Sequence, residues 1–160
     1  MTISVIGLNH KSASLDIREK YSFTGDACSL LLRRIKKIPE INEVLVVSTC
    51  NRTEIYTDSE SGSDNIQNWL AGEKEYRPFI NHMYIHREED AIRHLFKVVS
   101  GLDSMVVGES EVLGQVKTSY KIALENKTID SKLKRLFEYS FSVAKNVRTN
   151  TDIGGNAISF

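Results

Sequence analysis

The first half of the chain alternates short apolar runs with amphipathic segments. Four runs that are apolar or rich in β-branched and aromatic residues predict strands, over 3–8, 44–48, 52–58 and 82–86. Two stretches with apolar residues at helical spacing predict helices between these strands, over 26–38 and 66–70. The resulting order, β-α-β-β-α-β, predicts an α+β fold: a ferredoxin-like split β-α-β sandwich followed by a helical extension.

The second half of the chain has a helical pattern. From residue 88 onwards, apolar residues recur every three or four positions. Three helices are predicted, over 88–100, 111–126 and 131–149. We therefore expect a ferredoxin-like subdomain at 1–87 and a helical part of the same domain at 88–150.

Composition narrows the function classes. The chain has 160 residues, of which 41% are hydrophobic, enough for one core. Its 21 basic and 21 acidic side chains cancel, so RNA binding would require a local patch rather than an overall field. No signal-peptide pattern and no apolar run approaching ~18 residues occur, which predicts a cytoplasmic protein that does not enter a membrane.

Cysteines and histidines do not predict a metal site. Cys28 and Cys50 make neither a disulfide framework nor a Cys/His ligand set. His82 and His86 are expected on one face of a strand, about 13 Å apart, which is too far to share a metal. Cys28 falls on the apolar face of the helix at 26–38, so its expected role is structural.

Cys50 lies where the apolar run at 44–47 gives way to polar residues at 48–53. A strand packed in a core holds its end rigidly, while the next residues stay exposed to a substrate. Arg52 supplies positive charge, which favours the nucleophilic thiolate. By spacing alone, however, such a cysteine is more often a small buried hydrophobe.

His94 is a candidate for acid–base chemistry. At about 100° per residue it lies at the edge of the apolar arc of the helix at 88–100. There it could reach into a cleft and keep access to water, as a general base or orienting donor near Cys50. A partly buried, hydrogen-bonded histidine is the alternative. His10, at the end of the first strand, is a weaker candidate for a supporting role.

Four segments resemble the glutamyl-tRNA reductase family, in the family's order and over nearly the whole chain. The most specific is Ser48 to Tyr56 (STCNRTEIY). The others are GLNHKSA at 7–13 with Arg18 and Glu19, GLDSMVVGE at 101–109, and SVAKNVR at 142–148 followed by TDIG at 151–154.

The resemblance implies an activity. The Cys50 thiolate would attack the ester of glutamyl-tRNA, release the tRNA and leave a glutamyl thioester, which NADPH reduces to glutamate-1-semialdehyde for tetrapyrrole biosynthesis. It also implies that His94 matters for activity. Nine positions match the family's substrate contacts: Thr49, Cys50, Asn51, Arg52, Ser104, Glu109, Ser110, Glu111 and Gln115.

Charged residues among these positions suggest how the glutamyl group is held. We expect Arg52 to bind its γ-carboxylate, because a guanidinium can pair with a carboxylate through two hydrogen bonds. Glu109 or Glu111 could pair with the ammonium group, although an acid at this place also suits a helix N-terminus.

The resemblance further implies parts that the sequence does not contain. No G-x-G-x-x-G follows a strand and no P-loop occurs, whereas family members continue into an NADPH-binding domain and a helical dimerisation domain. We expect a catalytic fragment, with 151–160 starting the linker to the NADPH domain. The implied partners are glutamyl-tRNA, a second subunit bound through the C-terminal domain, and glutamate-1-semialdehyde aminomutase for product channelling.

Two other function classes stay open. Cys50 and His94 could form the dyad of a cysteine-dependent esterase or acyl transferase, which would turn over simple esters without preferring tRNA. A non-catalytic RNA-binding module would instead stack bases on exposed aromatic residues of the sheet, for which the strands offer Tyr56 and Tyr84.

Overall fold

The computed structural model describes residues 2–104 and 111–150, with side chains described as far as 147. Glu109, Ser110 and the predicted linker at 151–160 lie outside the described residues. The strands are β1 Thr2–Asn9, β2 Ile41–Ser48, β3 Arg52–Ser59 and β4 Tyr84–Arg87. The helices are α1 Leu15–Lys20, α2 Gly25–Lys36, α3 Asp64–Gly72, α4 Arg77–His82, α5 Glu89–Val99, α6 Glu111–Glu125 and α7 Ser131–Asn150, with a 3₁₀ helix at Lys74–Tyr76.

The four strands form one antiparallel sheet in the order β2-β3-β1-β4. β3 lies between β1 and β2, the two strands that α1 and α2 connect, and β4 closes the other side of β1. This is the split β-α-β arrangement. The predicted α+β fold is therefore confirmed.

Helices cover both faces of the sheet, because side chains of each strand alternate between the two faces. On one face α2 packs, and the Sγ atom of Cys28 lies 4.0 Å from the carbonyl oxygen of Val46. On the other face, Phe137 of α7 packs edge-on against Tyr56 with ring centroids 5.1 Å apart. Both layers share one hydrophobic core. The division of the chain at residue 87 stays a prediction.

The outer edge of β2 is covered rather than open to pairing with another chain. The backbone N–H of Val44 donates to the carbonyl of Thr128, 2.9 Å away, and that of Ser48 donates to Oγ of Ser119 on α6, at 3.3 Å. These contacts hold α6 beside the end of β2, which is where Cys50 follows.

Three short helical segments were not predicted: α1, the 3₁₀ helix and α4. Segments of three to six residues are too short to show a helical period. As a result His82 ends α4 and is not on the strand with His86, so that part of the prediction was wrong. Within residues 2–104 and 111–150, no group of three His, Cys, Asp or Glu side chains is placed to hold a metal ion.

The three predicted C-terminal helices are present as α5, α6 and α7, each within one or two residues of the predicted bounds. Gly101 follows α5 with a φ of +77°, a left-handed conformation that favours glycine. Over the described part of the chain, no helix is both long enough and apolar enough to cross a bilayer.

Candidate active site

Cys50 lies at the tip of the hairpin that joins β2 to β3. The tip is held by two local hydrogen bonds: the N–H of Thr49 donates to the carbonyl of Arg52 at 2.9 Å, and the N–H of Asn51 donates to Oγ1 of Thr49 at 3.3 Å. Cys50 is exposed, and its Sγ atom lies 4.0 Å from Oε1 of Gln115 on α6. The buried-hydrophobe alternative for Cys50 was therefore wrong, because the thiol is open to solvent.

Cys28 provides the contrast. It is 1% exposed in the interface between α2 and the sheet, and burial raises the pKa of its thiol to about 11. A thiol with such a pKa is almost entirely protonated at neutral pH and is a poor nucleophile. Its predicted structural role agrees with this burial.

α1 also contacts the hairpin tip, and His10 lies half-buried near Arg52. Nη1 of Arg18 donates to Oδ1 of Asn51 at 3.4 Å. His10 follows β1, and its Nδ1 atom is buried without a hydrogen-bond partner among the described residues. Burial and then the positive charge of Arg52 lower the pKa of His10, so the neutral ring is favoured there.

Arg52 is the first residue of β3, and it is 3% exposed. Its Nη1 atom lies 3.2 Å from Oε2 of Glu54, and its Nη2 atom lies 2.9 Å from Oδ2 and 2.8 Å from the carbonyl oxygen of Asp103. Despite the cost of burial, these two carboxylates raise the pKa of Arg52 further above its usual value. Arg52 is thus a buried cation with two partners. Its role as the γ-carboxylate ligand stays a prediction.

Glu54 is the centre of the buried polar cluster on this face of the sheet. Besides Arg52, its carboxylate accepts hydrogen bonds from the hydroxyl groups of Tyr56 and Tyr84 and from Nε2 of His94. Burial alone would raise the pKa of Glu54, but His94, Arg52 and Tyr84 together lower it to about 2. Glu54 is therefore ionised at every pH at which the protein is expected to work.

His94 lies inside this cluster and not at its rim. The residue is 9% exposed, its ring stacks on His86 with centroids 4.5 Å apart, and its Nε2 atom is bound to Glu54. Among the contacts of the described residues, none joins His94 to Cys50. Of the two ring nitrogens, Nε2 has a described partner, and 10% of the side chain is exposed, which agrees with the alternative of a partly buried, hydrogen-bonded histidine. A catalytic role of His94 stays a prediction.

Gly7 makes room for the cluster. It lies on β1 between Glu54 of β3 and Tyr84 of β4. A Cβ atom at this position would lie 2.7 Å from Cγ of Glu54, 2.8 Å from the carbonyl oxygen of Thr53 and 3.0 Å from the hydroxyl of Tyr84. Only glycine lets these side chains cross the central strand at this point.

Of the remaining predicted substrate contacts, Ser104, Glu111 and Gln115 are described residues. Gln115 faces the thiol of Cys50. Glu111 is the exposed first residue of α6, and Ser104 is half-buried next to Asp103. A cavity of about 360 Å³ opens beside Cys50 on the side of α2 and α6.

Three residues of the cluster were missed by sequence reasoning: Glu54, Asp103 and Tyr84. The first two lie within segments that resemble the family, but nothing in their spacing indicated a shared partner. The alternation of Arg52 and Glu54 along β3 places both on one face, which was the available signal. The same alternation is equally typical of a solvated face. Tyr56 is fully buried and Tyr84 half-buried, so neither offers the exposed ring that an RNA-stacking sheet requires.

Comparisons with known proteins agree with one family. The model of the family described as glutamyl-tRNAGlu reductase, N-terminal domain, matches residues 6–151. The chain is 48% identical over 160 residues to glutamyl-tRNA reductase from Xylella fastidiosa (strain M23), covering 99% of this chain and 36% of that protein. Glutamyl-tRNA reductase from Photobacterium profundum is 46% identical, covering 99% of this chain and 39% of that protein.

A solved structure is similar as well. Glutamyl-tRNA reductase from Methanopyrus kandleri superimposes with a TM-score of 0.79 at 30% identity, covering 93% of this chain and 35% of that one. The chain thus spans just over a third of the length of these relatives. With a family model matched from residue 6 to residue 151, the chain belongs to the glutamyl-tRNA reductase family, in the part described as the N-terminal domain.

Proposed function

We propose that this chain carries the acyl-transfer step of a glutamyl-tRNA reductase, with Cys50 as the group that accepts the glutamyl residue. The observation that supports this most directly is an exposed thiol on a hydrogen-bonded hairpin tip, between a cavity and a buried charged cluster. A nucleophile held by the hairpin, with an open cavity beside it, suits attack on an ester that carries a large group.

The proposed step transfers the glutamyl group from oxygen to sulfur. Sγ of Cys50 bonds to the carbonyl carbon of the glutamyl ester, and the bond between that carbon and the ribose oxygen breaks. The thiol proton ends on the ribose oxygen, so the products are a Cys50 thioester and free tRNA. The step needs no oxidant or reductant.

The buried cluster is the proposed binding place for the charged end of the glutamyl group. Arg52 has two carboxylate partners that differ in exposure: the side chain of Glu54 is 0% exposed and that of Asp103 is 20% exposed. In this proposal an incoming γ-carboxylate takes over the hydrogen bonds of Asp103, while Glu54 keeps Arg52 in place. Asp103 then becomes available to the substrate's ammonium group.

His94 acts in this proposal as a positioning residue. Its ring holds the carboxylate of Glu54, and Glu54 in turn holds Arg52. A role as general base for Cys50 finds no support in the described contacts. The effect of His94 on activity would therefore run through the orientation of Arg52.

The described residues do not fit NADPH. A dinucleotide site of the usual kind needs a parallel βαβ unit with a glycine-rich turn at a helix N-terminus, whereas all four strands here are antiparallel. The reduction step is therefore not assigned to these residues. Reduction of the thioester, dimerisation and product transfer are proposed only for longer proteins, of the length of the relatives.

Intact-protein mass spectrometry after incubation with glutamyl-tRNA tests the proposal. We expect one glutamyl adduct that hydroxylamine removes, as it does thioesters. The adduct should be absent from Cys50→Ser and present in Cys28→Ala, the matched change at the buried thiol. No adduct on the folded wild-type chain, or an adduct that survives in Cys50→Ser, would overturn the proposal. Rapid turnover of simple esters without a tRNA preference would favour the esterase alternative.

A further inference from the structure

Ser48 connects the three segments that form the cavity beside Cys50: the end of β2, the residues before α2, and α6. Ser48, the last residue of β2, accepts a hydrogen bond at its Oγ atom from the N–H of Phe23, at 3.0 Å, and donates from its own N–H to Oγ of Ser119, at 3.3 Å. The segment before α2 and the helix α6 are thus both held to the strand that leads to Cys50.

A second bridge sets the distance between α2 and α6. Nδ2 of Asn126, just beyond α6, donates to Oγ of Ser29 on α2 at 2.9 Å, and Nη1 of Arg33 lies 3.3 Å from Oδ1 of Asn126. These bonds fix the far ends of the two helices. The cavity volume of about 360 Å³ lies within the usual range of small-molecule sites, about 300–1,000 Å³.

The chemistry of the walls differs sharply from that of the Glu54 cluster. Among the described residues, none that lines the cavity is charged: hydroxyl groups come from serines and threonines, and Gln115 supplies an amide. Phe23 and Ile122 supply apolar surface. Arg52 and Glu54, by contrast, lie on the sheet face that α5 covers and do not line the cavity. The two sides of Cys50 therefore suit two different kinds of ligand.

We propose that this cavity binds the 3′-terminal nucleoside of the aminoacyl-tRNA, the part that leaves when the thioester forms. The inference rests on the proposed function of Cys50. An uncharged nucleoside matches the uncharged walls, its ribose hydroxyl and base edges match the Ser, Thr and Gln115 groups, and its base has the ring of Phe23 to pack against. The zwitterionic glutamyl group matches the charged side instead.

A cavity-filling variant separates the two halves of the substrate. Thr118 lines the cavity from an exposed position of α6, and its hydroxyl donates to the carbonyl of Gly114 in the same helix, so Thr118→Phe is expected to fold. Acylation of Cys50 is timed by intact mass with two donors: glutamyl-tRNA, and the small α-(S-methyl) thioester of glutamate. Lys121→Phe places the same ring on the same helix outside the cavity and serves as the matched control.

The expected result is a difference between donors. Thr118→Phe should slow acylation by glutamyl-tRNA about tenfold or more, since one base-stacking or ribose contact is worth that much, and leave acylation by the small thioester near the wild-type rate. Lys121→Phe should change neither rate. Slowing of both donors alike would assign the cavity to the glutamyl group, and slowing of neither would leave it without a role; both results overturn this inference while the proposed function stands. Failure of the wild-type chain to accept either donor would overturn the proposed function itself.

Discussion

At the scale of single residues, Glu54 has the most consequential environment in the molecule. It is fully buried, yet four side chains donate to it or pair with it: Arg52, Tyr56, Tyr84 and His94. Burial and the neighbouring carboxylate raise the pKa of Tyr84 well above its usual value, so its hydroxyl stays a donor. A buried charge is tolerated here because every one of its neighbours supplies a proton or a positive charge.

Glu54 predicts how stability depends on pH. Its pKa is about 2 in the folded protein against 4.5 for an unperturbed glutamate. Between these values the unfolded chain binds more protons, so the free energy of unfolding is highest above about pH 5 and falls as the pH drops toward 2. The loss should reach about 3 kcal/mol.

Urea unfolding at several pH values between 6 and 3 measures this dependence. Glu54→Gln removes the titrating group, so its stability should be lower at neutral pH and should fall less steeply as the pH drops. Glu60→Gln changes an exposed glutamate just after the end of the same strand, β3, and should keep the wild-type slope. A Glu54→Gln profile parallel to that of the wild type would show that another group is responsible.

At the scale of elements, β1 depends on a residue that has no side chain. A Cβ at Gly7 would meet a backbone oxygen at 2.8 Å, and backbone cannot move as a flexible side chain can. Gly7→Ala is expected to lower the free energy of unfolding by about 1–3 kcal/mol through overpacking.

The matched control is Gly114→Ala on α6, where a Cβ meets nothing within 4 Å. Inside a helix, alanine is favoured over glycine by about 0.5–1 kcal/mol, so this variant should be as stable as the wild type or more so. Thermal and urea unfolding of the two variants measure the difference. Equal stability of Gly7→Ala and the wild type would contradict the close approach of the Glu54 side chain, the Thr53 carbonyl and the Tyr84 hydroxyl to Gly7.

The start of α7 is stabilised by an acid from the sheet. The carboxylate of Glu43, 4% exposed on β2, accepts from the backbone N–H groups of Asp130, Lys132 and Leu133, at 2.6, 3.2 and 3.0 Å. These are the N–H groups that a helix leaves without internal partners, and a negative charge there is favourable.

Glu43→Gln keeps the size of the side chain and removes its charge. It should lower the free energy of unfolding by about 1–2 kcal/mol, since charge-assisted hydrogen bonds are roughly twice as strong as neutral ones. Glu125→Gln, at the exposed end of α6, should change stability by less than about 0.5 kcal/mol. If both variants unfold at the same urea concentration, the carboxylate does not stabilise α7.

At the scale of the whole molecule, the fold separates its two thiols into opposite environments. Cys50 is exposed at the hairpin tip, and Cys28 is sealed between α2 and the sheet, in the core that both helical layers share. Access to Cys28 therefore requires that the helical layer over it opens.

Reaction with a chromogenic disulfide measures how many thiols per chain are accessible. One thiol per chain should react in seconds to minutes under native conditions, and two should react in denaturant. Cys50→Ser should abolish the native reaction, whereas Cys28→Ala should leave it unchanged. Rapid native reaction of both thiols would mean that α2 does not stay packed on the sheet.

Local pattern determined much of this protein. The pattern of apolar runs predicted all four strands, the last one starting two residues too early, and all three long C-terminal helices, because burial of one face imposes a period of 2 or 3.6 on each element. The polar residues after the run at 44–47 left two interpretations of Cys50 open, and by spacing alone a small buried hydrophobe was the more frequent one. The resemblance of Ser48 to Tyr56 to the family's segment favoured the exposed thiol that the structure shows. The segment around Cys50, Ser48 to Tyr56, was the most specific part of the resemblance to the family.

Only the tertiary structure decided which polar residues are buried and which meet. Arg52, Glu54, Tyr84, His94 and Asp103 come from two strands, one helix and one turn, and their charges compensate one another only after those elements pack. The hydropathy pattern cannot show that Arg52 and Glu54 are buried, because alternating charged residues are equally typical of a strand face that is open to solvent. The cavity beside Cys50 likewise exists only where α2, α6 and the end of β2 come together, since no single segment contains its walls.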